Sequence, residues 1–175
     1  MMRFYICCFL FGFILVISSC KKDTSVPIDF SKITVTDSTS CIIISDVDTT
    51  DWTYDANWTP GVTAFLYFID SNLVVSDTLT GYVQVSPACP NPNHGIFIMG
   101  VNTERECLMK LVCVNTDMQI LYYTTRKFTG GPIVTAYDLT TSTSFHKNAN
   151  YRVYYGFFNA FDSLYYKGHG DVRIE

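Results

Sequence analysis

The sequence predicts an all-β protein, an immunoglobulin-like antiparallel β-sandwich, and three observations carry that prediction. Aromatic residues reach 15%, with twelve Tyr and thirteen Phe, while charged residues stop at 16%, below the roughly 25% of an average domain. Tyrosine, threonine and β-branched side chains suit pleated, half-buried surfaces. Period-two alternation recurs along the chain, and no interval carries helical spacing over ten or more residues. Short breaks rich in turn residues separate neighbouring runs, as antiparallel strands require.

Taken in order, the expected strands are 33–36, 41–45, 62–69, 73–76, 81–86, 95–101, 107–114, 118–124, 133–139, 151–158, 163–167 and 171–174. In 81–86, Val83 and Val85 alternate with Tyr82, Gln84 and Ser86. In 107–114, Cys107, Met109, Leu111 and Cys113 form a wholly apolar set, whereas the other set contains Lys110, so the first is expected to face the core. In 151–158, Tyr151, Val153, Tyr155 and Phe157 oppose Arg152 and Gly156. Hairpin-sized loops are expected at 70–72, 115–117 and 159–162. Many short antiparallel strands at this spacing indicate a sandwich or a barrel, and the sandwich is preferred. The least regular stretches are 46–61, with two Trp and four Asp, and the Thr- and Ser-rich 140–150. Gly168-His169-Gly170 is expected to form a bulge before the final strand.

The N-terminus reads as an export address. Arg3 supplies a positive start, residues 4–17 an apolar run, and Ser18-Ser19-Cys20 comes next, with Lys21-Lys22-Asp23 beyond. Fourteen apolar residues fall short of the ~17–25 that a membrane-crossing helix needs. Ile17-Ser18-Ser19-Cys20 resembles a bacterial lipobox, in which the small residues admit a signal peptidase and the Cys20 thiol carries the lipid. The expected organisation is a signal peptide (1–19), a lipid-anchored tether (20–30) and a single β-sandwich domain (31–175). The implied location is the cell envelope, as an outer membrane lipoprotein, with the membrane as a partner through lipidated Cys20.

Composition excludes several functions. Without its signal the chain keeps 156 residues and a formal charge of −5, and its basic residues are scattered apart from Lys21-Lys22 and Arg126-Lys127. A nucleic-acid surface needs them clustered. No cofactor motif occurs: there is no phosphate-cradling glycine loop and no Gly-x-Ser-x-Gly elbow. No metal site is expected, because Cys-x-x-Cys and Cys-x-x-His spacings are missing. Asp46, Asp48, Asp51 and Asp55 offer oxygen ligands to calcium but lack the glycine and distal Glu of an EF-hand loop, and are expected to face water. His94, His146 and His169 are expected as solvated turn residues. Cys107 and Cys113 on one strand stand about 20 Å apart, beyond disulfide reach; they either pair with Cys41 and Cys89 or stay as buried thiols, and at least two free thiols are expected.

No catalytic residues are expected. Trp52, Tyr54 and Trp58 are the candidate ligand-binding residues, a platform for a glycan or a peptide, since aromatics give rigid contact area. The competing expectation is an apolar plug over one end of the sandwich. The function expected is a non-catalytic binding or assembly module that contacts a glycan or an envelope protein. The alternatives are a glycan hydrolase using loop aspartates, or a structural subunit of a secretion or gliding apparatus.

Two resemblances add to this. Cys89-Pro90-Asn91-Pro92-Asn93-His94-Gly95-Ile96-Phe97 resembles the opening of the β-sandwich sorting domains of the Bacteroidota type IX secretion system, with Tyr137-Asp138-Leu139 and strand 151–158 in matching places. The acidic end Asp171-Val172-Arg173-Ile174-Glu175 departs from the usual basic finish, so the resemblance implies a fold and a phylum and not the sorting activity. The whole also resembles small lipoproteins of that phylum. Asp37-Ser38-Thr39, Asp48-Thr49-Thr50, Asp77-Thr78-Leu79 and Asp162-Ser163-Leu164 resemble the O-glycosylation motif of these bacteria, which would make Ser38, Thr49, Thr78 and Ser163 candidate acceptors.

Overall fold

The computed structural model describes residues 28–45 and 47–175. The signal segment, Cys20, most of the tether and Asp46 lie outside the described residues. The described chain is all-β and antiparallel apart from one short helix: β1 (Val35–Thr36), β2 (Ile43–Ser45), β3 (Thr53–Tyr54), α1 (Pro60–Phe68), β4 (Val83–Val85), β5 (Ile96–Val114), β6 (Ile120–Asp138), β7 (Ala149–Phe158) and β8 (Leu164–Ile174). β1 and β2 form a separate ribbon, and the six others form one sheet in which β3, β8, β7, β5 and β4 lie in that order with β6 along the other edge of β5. The arrangement is sandwich-like.

Four of the expected strands merge into two long ones. Segments 95–101 and 107–114 join as β5, and 118–124 and 133–139 join as β6. Two residues of β5, Glu104 and Arg105, stand against the single Gly130 of β6, a β-bulge. Gly130 and Gly131 both hold positive φ, +97° and +81°, which only glycine adopts at little cost. The ladder resumes on the far side of the bulge and these glycines, so the segments expected on either side belong to one strand. Segments 163–167 and 171–174 likewise join as β8, and Gly168, His169 and Gly170 pair in regular register with Tyr155, Tyr154 and Val153. The expected bulge there does not occur.

Two loops match their sequence signals. Asn115 Oδ1 accepts from the amides of Asp117 and Gln119 between β5 and β6, and Asn159 Oδ1 accepts from those of Phe161 and Ser163 between β7 and β8. These are Asx-type turns that pin the hairpins.

The expected strand 62–69 is instead helical. Thr59 caps α1 through its side chain, Pro60 opens the first turn, and Val62 and Leu66 are its buried residues, four apart. Nine residues give too short a period to read against a β-branched background. Segment 73–76 carries no regular structure.

The second half of β5 and most of β7 are buried on both faces, whereas β6 is largely exposed or half-buried. Cys107, Met109, Leu111 and Cys113 enter the main core as expected, with Tyr151, Val153, Tyr155 and Phe157 of β7 beside them. The opposite set is also covered, because α1 lays Val62 and Leu66 over Leu108, Val112, Tyr154 and Phe158. Lys110 is caught under this layer, with its ammonium 3.0 Å from Asp162 and 4.5 Å from the centre of the Phe158 ring. Cys41 and Cys89 form a disulfide, while Cys107 and Cys113 are buried free thiols.

Candidate functional site

Cross-strand register assembles the site. On the face beneath α1, β7 presents Arg152 and Tyr154, and β8 sets Asp171 directly opposite the first and His169 opposite the second. The Arg152 guanidinium donates Nε to Asp171 Oδ1 and Nη2 to Asp171 Oδ2. Burial opposes the guanidinium charge, but the Asp171 carboxylate overcomes it, and the Arg152 pKa lies above its ordinary value.

The flanking glycines explain how His169 is held. Gly168 and Gly170 leave the core face open, so that Tyr155 packs against the first and the Trp52 ring lies on the second. Trp52 and Tyr155 stack with centroids 6.1 Å apart. His169 points the other way and is only 6% exposed. Its Nδ1 lies 3.0 Å from Asp55 Oδ2, and among the described residues this is the ring's one hydrogen bond. Burial, and after it the Arg152 charge, lowers the His169 pKa. The ring is therefore neutral at pH 7, donating from Nδ1 to Asp55 and leaving Nε2 as an acceptor.

Asp55 belongs to the turn after β3, whose amide donates to Lys167 O, and its Oδ1 accepts from the Asn57 amide. The chain then carries Trp58 to the start of α1. Asp55, Asn57 and Trp58 join Arg152, Tyr154 and His169 around an open-mouthed cavity of about 170 Å³, lined also by Ile28, Val62 and Met118. Trp58 meets the Tyr154 ring edge-on at 5.3 Å, and the Lys167 ammonium lies 5.5 Å from the centre of the indole.

A buried polar seam links this cavity to the N-terminal segment. Arg152 Nη2 also donates to Asp29 O, and its guanidinium lies over Phe30. Asp51 accepts from the amides of Asp171 and Thr34. Asn91, from the Pro-Asn-Pro segment, donates to Thr34 O and Asp171 O and accepts from the Arg173 amide.

The three aromatic candidates do not share one flat face. Trp52 is 3% exposed and sits in the core with a backbone φ of +59°. Tyr54 is exposed beside Tyr166. Of the three, only Trp58 lines the cavity.

The aspartates also separate. Asp51 is buried and Asp55 is paired with His169, so neither faces water freely. His94 and His146 are exposed as expected, but His169 is a buried strand residue. Among the described residues no group of three or more His, Cys, Asp or Glu could hold a metal ion. The candidate acceptors Ser38, Thr49, Thr78 and Ser163 are all exposed.

Sequence reasoning assigns no site role to Arg152, Tyr154, His169 or Asp171. The signal available is the hairpin at 159–162, which sets 152 against 171 once the strands are allowed to run through the glycines.

Fold and site together define a small antiparallel β domain with one helix and a lateral pocket of charge-matched and aromatic groups. No protein-family model matches the chain, and comparison with curated proteins returns no significant relative.

Proposed function

We propose that this protein is a cell-envelope lipoprotein, tethered to the outer membrane through Cys20, whose β domain is a non-catalytic binding module for an envelope glycan or protein. The observation that carries the binding reading is the pocket itself. It gathers aromatic walls and a few convergent polar groups, the usual makeup of a ligand site. Asp51 gives one carboxylate oxygen to the Asp171 amide and the other to the Thr34 amide. This favours a structural role over the paired acid and base of a glycan hydrolase.

Two experiments test the proposal. Metabolic labelling with an alkyne palmitate should mark the wild type and not Cys20→Ala, and equal labelling of both would remove the anchor. Detergent-solubilised protein titrated with envelope glycan fragments and envelope peptides should bind one class without turnover. Binding should fall at least about tenfold in Trp58→Ala, which removes an aromatic wall of the pocket, a change of about 1.4 kcal/mol or more. Product release from the bound ligand would instead establish a hydrolase.

A further inference from the structure

We propose that the pocket between α1 and the β7–β8 hairpin takes a single uncharged sugar ring, with hydroxyls on His169 and Arg152 and the apolar ring face against Trp58 and Tyr154. This rests on reading the domain as a binding module and names the chemistry of its ligand.

Size comes first. At about 170 Å³ the cavity lies below the ~300–1,000 Å³ of pockets for drug-sized ligands. It has room for one ring and not for an extended peptide.

Charge comes second. Arg152 is neutralised by its two hydrogen bonds to Asp171, and the Asp55 carboxylate, hydrogen-bonded by the neutral His169 N–H and the Asn57 amide, is offset in sign by the Lys167 ammonium beyond the indole. The surroundings therefore sum to no net charge, and an anion or a cation would lose its hydration here without a net countercharge to replace it.

Hydrogen-bonding capacity comes third. His169 Nε2 has no hydrogen-bond partner among the described residues, and the Arg152 guanidinium, beyond its bonds to Asp171 and Asp29, has only the Tyr154 hydroxyl beside it. One is an acceptor and the other a donor, on side chains that also line the cavity. A ligand that both donates and accepts through hydroxyls satisfies both. A purely apolar ligand of the same size would leave Nε2 unmet. The aromatic wall then favours a molecule with C–H faces as well as hydroxyl edges, which describes a pyranose.

The test is calorimetric titration of the detergent-solubilised full-length protein with methyl glycosides of glucose, galactose, mannose and N-acetylglucosamine. Glucuronate and glucosamine serve as charged counterparts. At least one neutral glycoside should bind with a Kd of ~1 mM or tighter, and the charged counterparts at least about tenfold more weakly. Asn57→Ala is at an exposed position and should weaken binding severalfold at unchanged melting temperature, which separates contact from folding. Trp58→Ala removes an aromatic wall of the pocket and should act in the same direction. Charged sugars binding as tightly as neutral ones would overturn the proposal. So would envelope peptides that bind in a Trp58-dependent way while no glycoside does, although the binding module would then survive. A wild type that binds neither set would overturn both.

Discussion

Arg152 and Asp171 face each other across the β7–β8 ladder and are joined by two hydrogen bonds of 2.7 Å each, while the Asp171 side chain has no exposed surface. Removing one member leaves the other charge stranded. Arg152→Met should therefore destabilise the fold by about 3–5 kcal/mol, whereas pairing it with Asp171→Leu should return much of that loss, because a buried ion pair is often no better than apolar packing. Urea denaturation of both variants checks this. Equal destabilisation of the single and double variants would mean that the pair is not what holds this region.

Asp51 is expected to make stability fall with pH. Burial, reinforced by the Asp171 charge, pushes its carboxyl up to about 7. A folded pKa above the unfolded 3.8 makes the folded state bind more protons. The contribution is fully present below about pH 4 and is lost as pH rises through about 7. His169 works oppositely, since its lowered pKa favours folding as pH climbs toward 6.5. Asp51→Asn isolates the carboxyl. Its stability relative to wild type should improve by up to about 1.4 kcal/mol per pH unit within that window. A flat difference from pH ~4 to ~7 would place the Asp51 titration at its ordinary value.

Gly156 sets how closely α1 approaches β7. A methyl there would stand 2.5 Å from Leu66 Cδ1 and 2.6 Å from Leu164 Cδ1, and Leu66 is fully buried. Gly156→Ala should cost about 1–3 kcal/mol through overpacking. Leu66→Ala should then cost less in that background than in the wild type, with a coupling of at least ~0.5 kcal/mol in a double-mutant cycle. Strict additivity would contradict the contact.

The cysteines divide cleanly by chemistry. Burial raises the pKa of both Cys107 and Cys113, so neither should alkylate in the native protein, and peptide mapping after denaturation without reductant should find label on these two and not on Cys41 or Cys89. The Cys41–Cys89 bridge spans 48 residues. Replacing both with Ser should cost about 4 kcal/mol on loop-closure grounds, measured as a lower denaturation midpoint.

Much of the fold was legible because alternation is a local signal. The apolar sets in β5 and β7, and the turns at Asn115 and Asn159, needed only neighbouring residues to be read. α1 escaped because Val62 and Leu66 are equally good strand residues and its nine residues complete too few turns to show a period. Gly168 and Gly170 read as a bulge but serve the close approach of Tyr155 and Trp52, whereas Gly130 and Gly131, which carried no such reading, sit at a bulge inside a continuous strand pair. The pocket was illegible for a different reason. Arg152, Asp171, His169 and Asp55 come together only through strand register and a turn more than a hundred residues away. The Trp52, Tyr54 and Trp58 cluster was visible as composition, yet alternation sends Trp52 inward and leaves Trp58 alone at the cavity.

The route by which residues 29–36 enter the domain has a mechanical meaning. They are not stitched to a free border. Arg152 and Asn91 grip their carbonyls, Asp51 grips the Thr34 amide, and all three lead into β7 and β8. A pull on the leading end of the chain is thus shared among several bonds loaded together and passed into the interior strands, so this end should resist peeling more strongly than a terminus zipped along an outer strand.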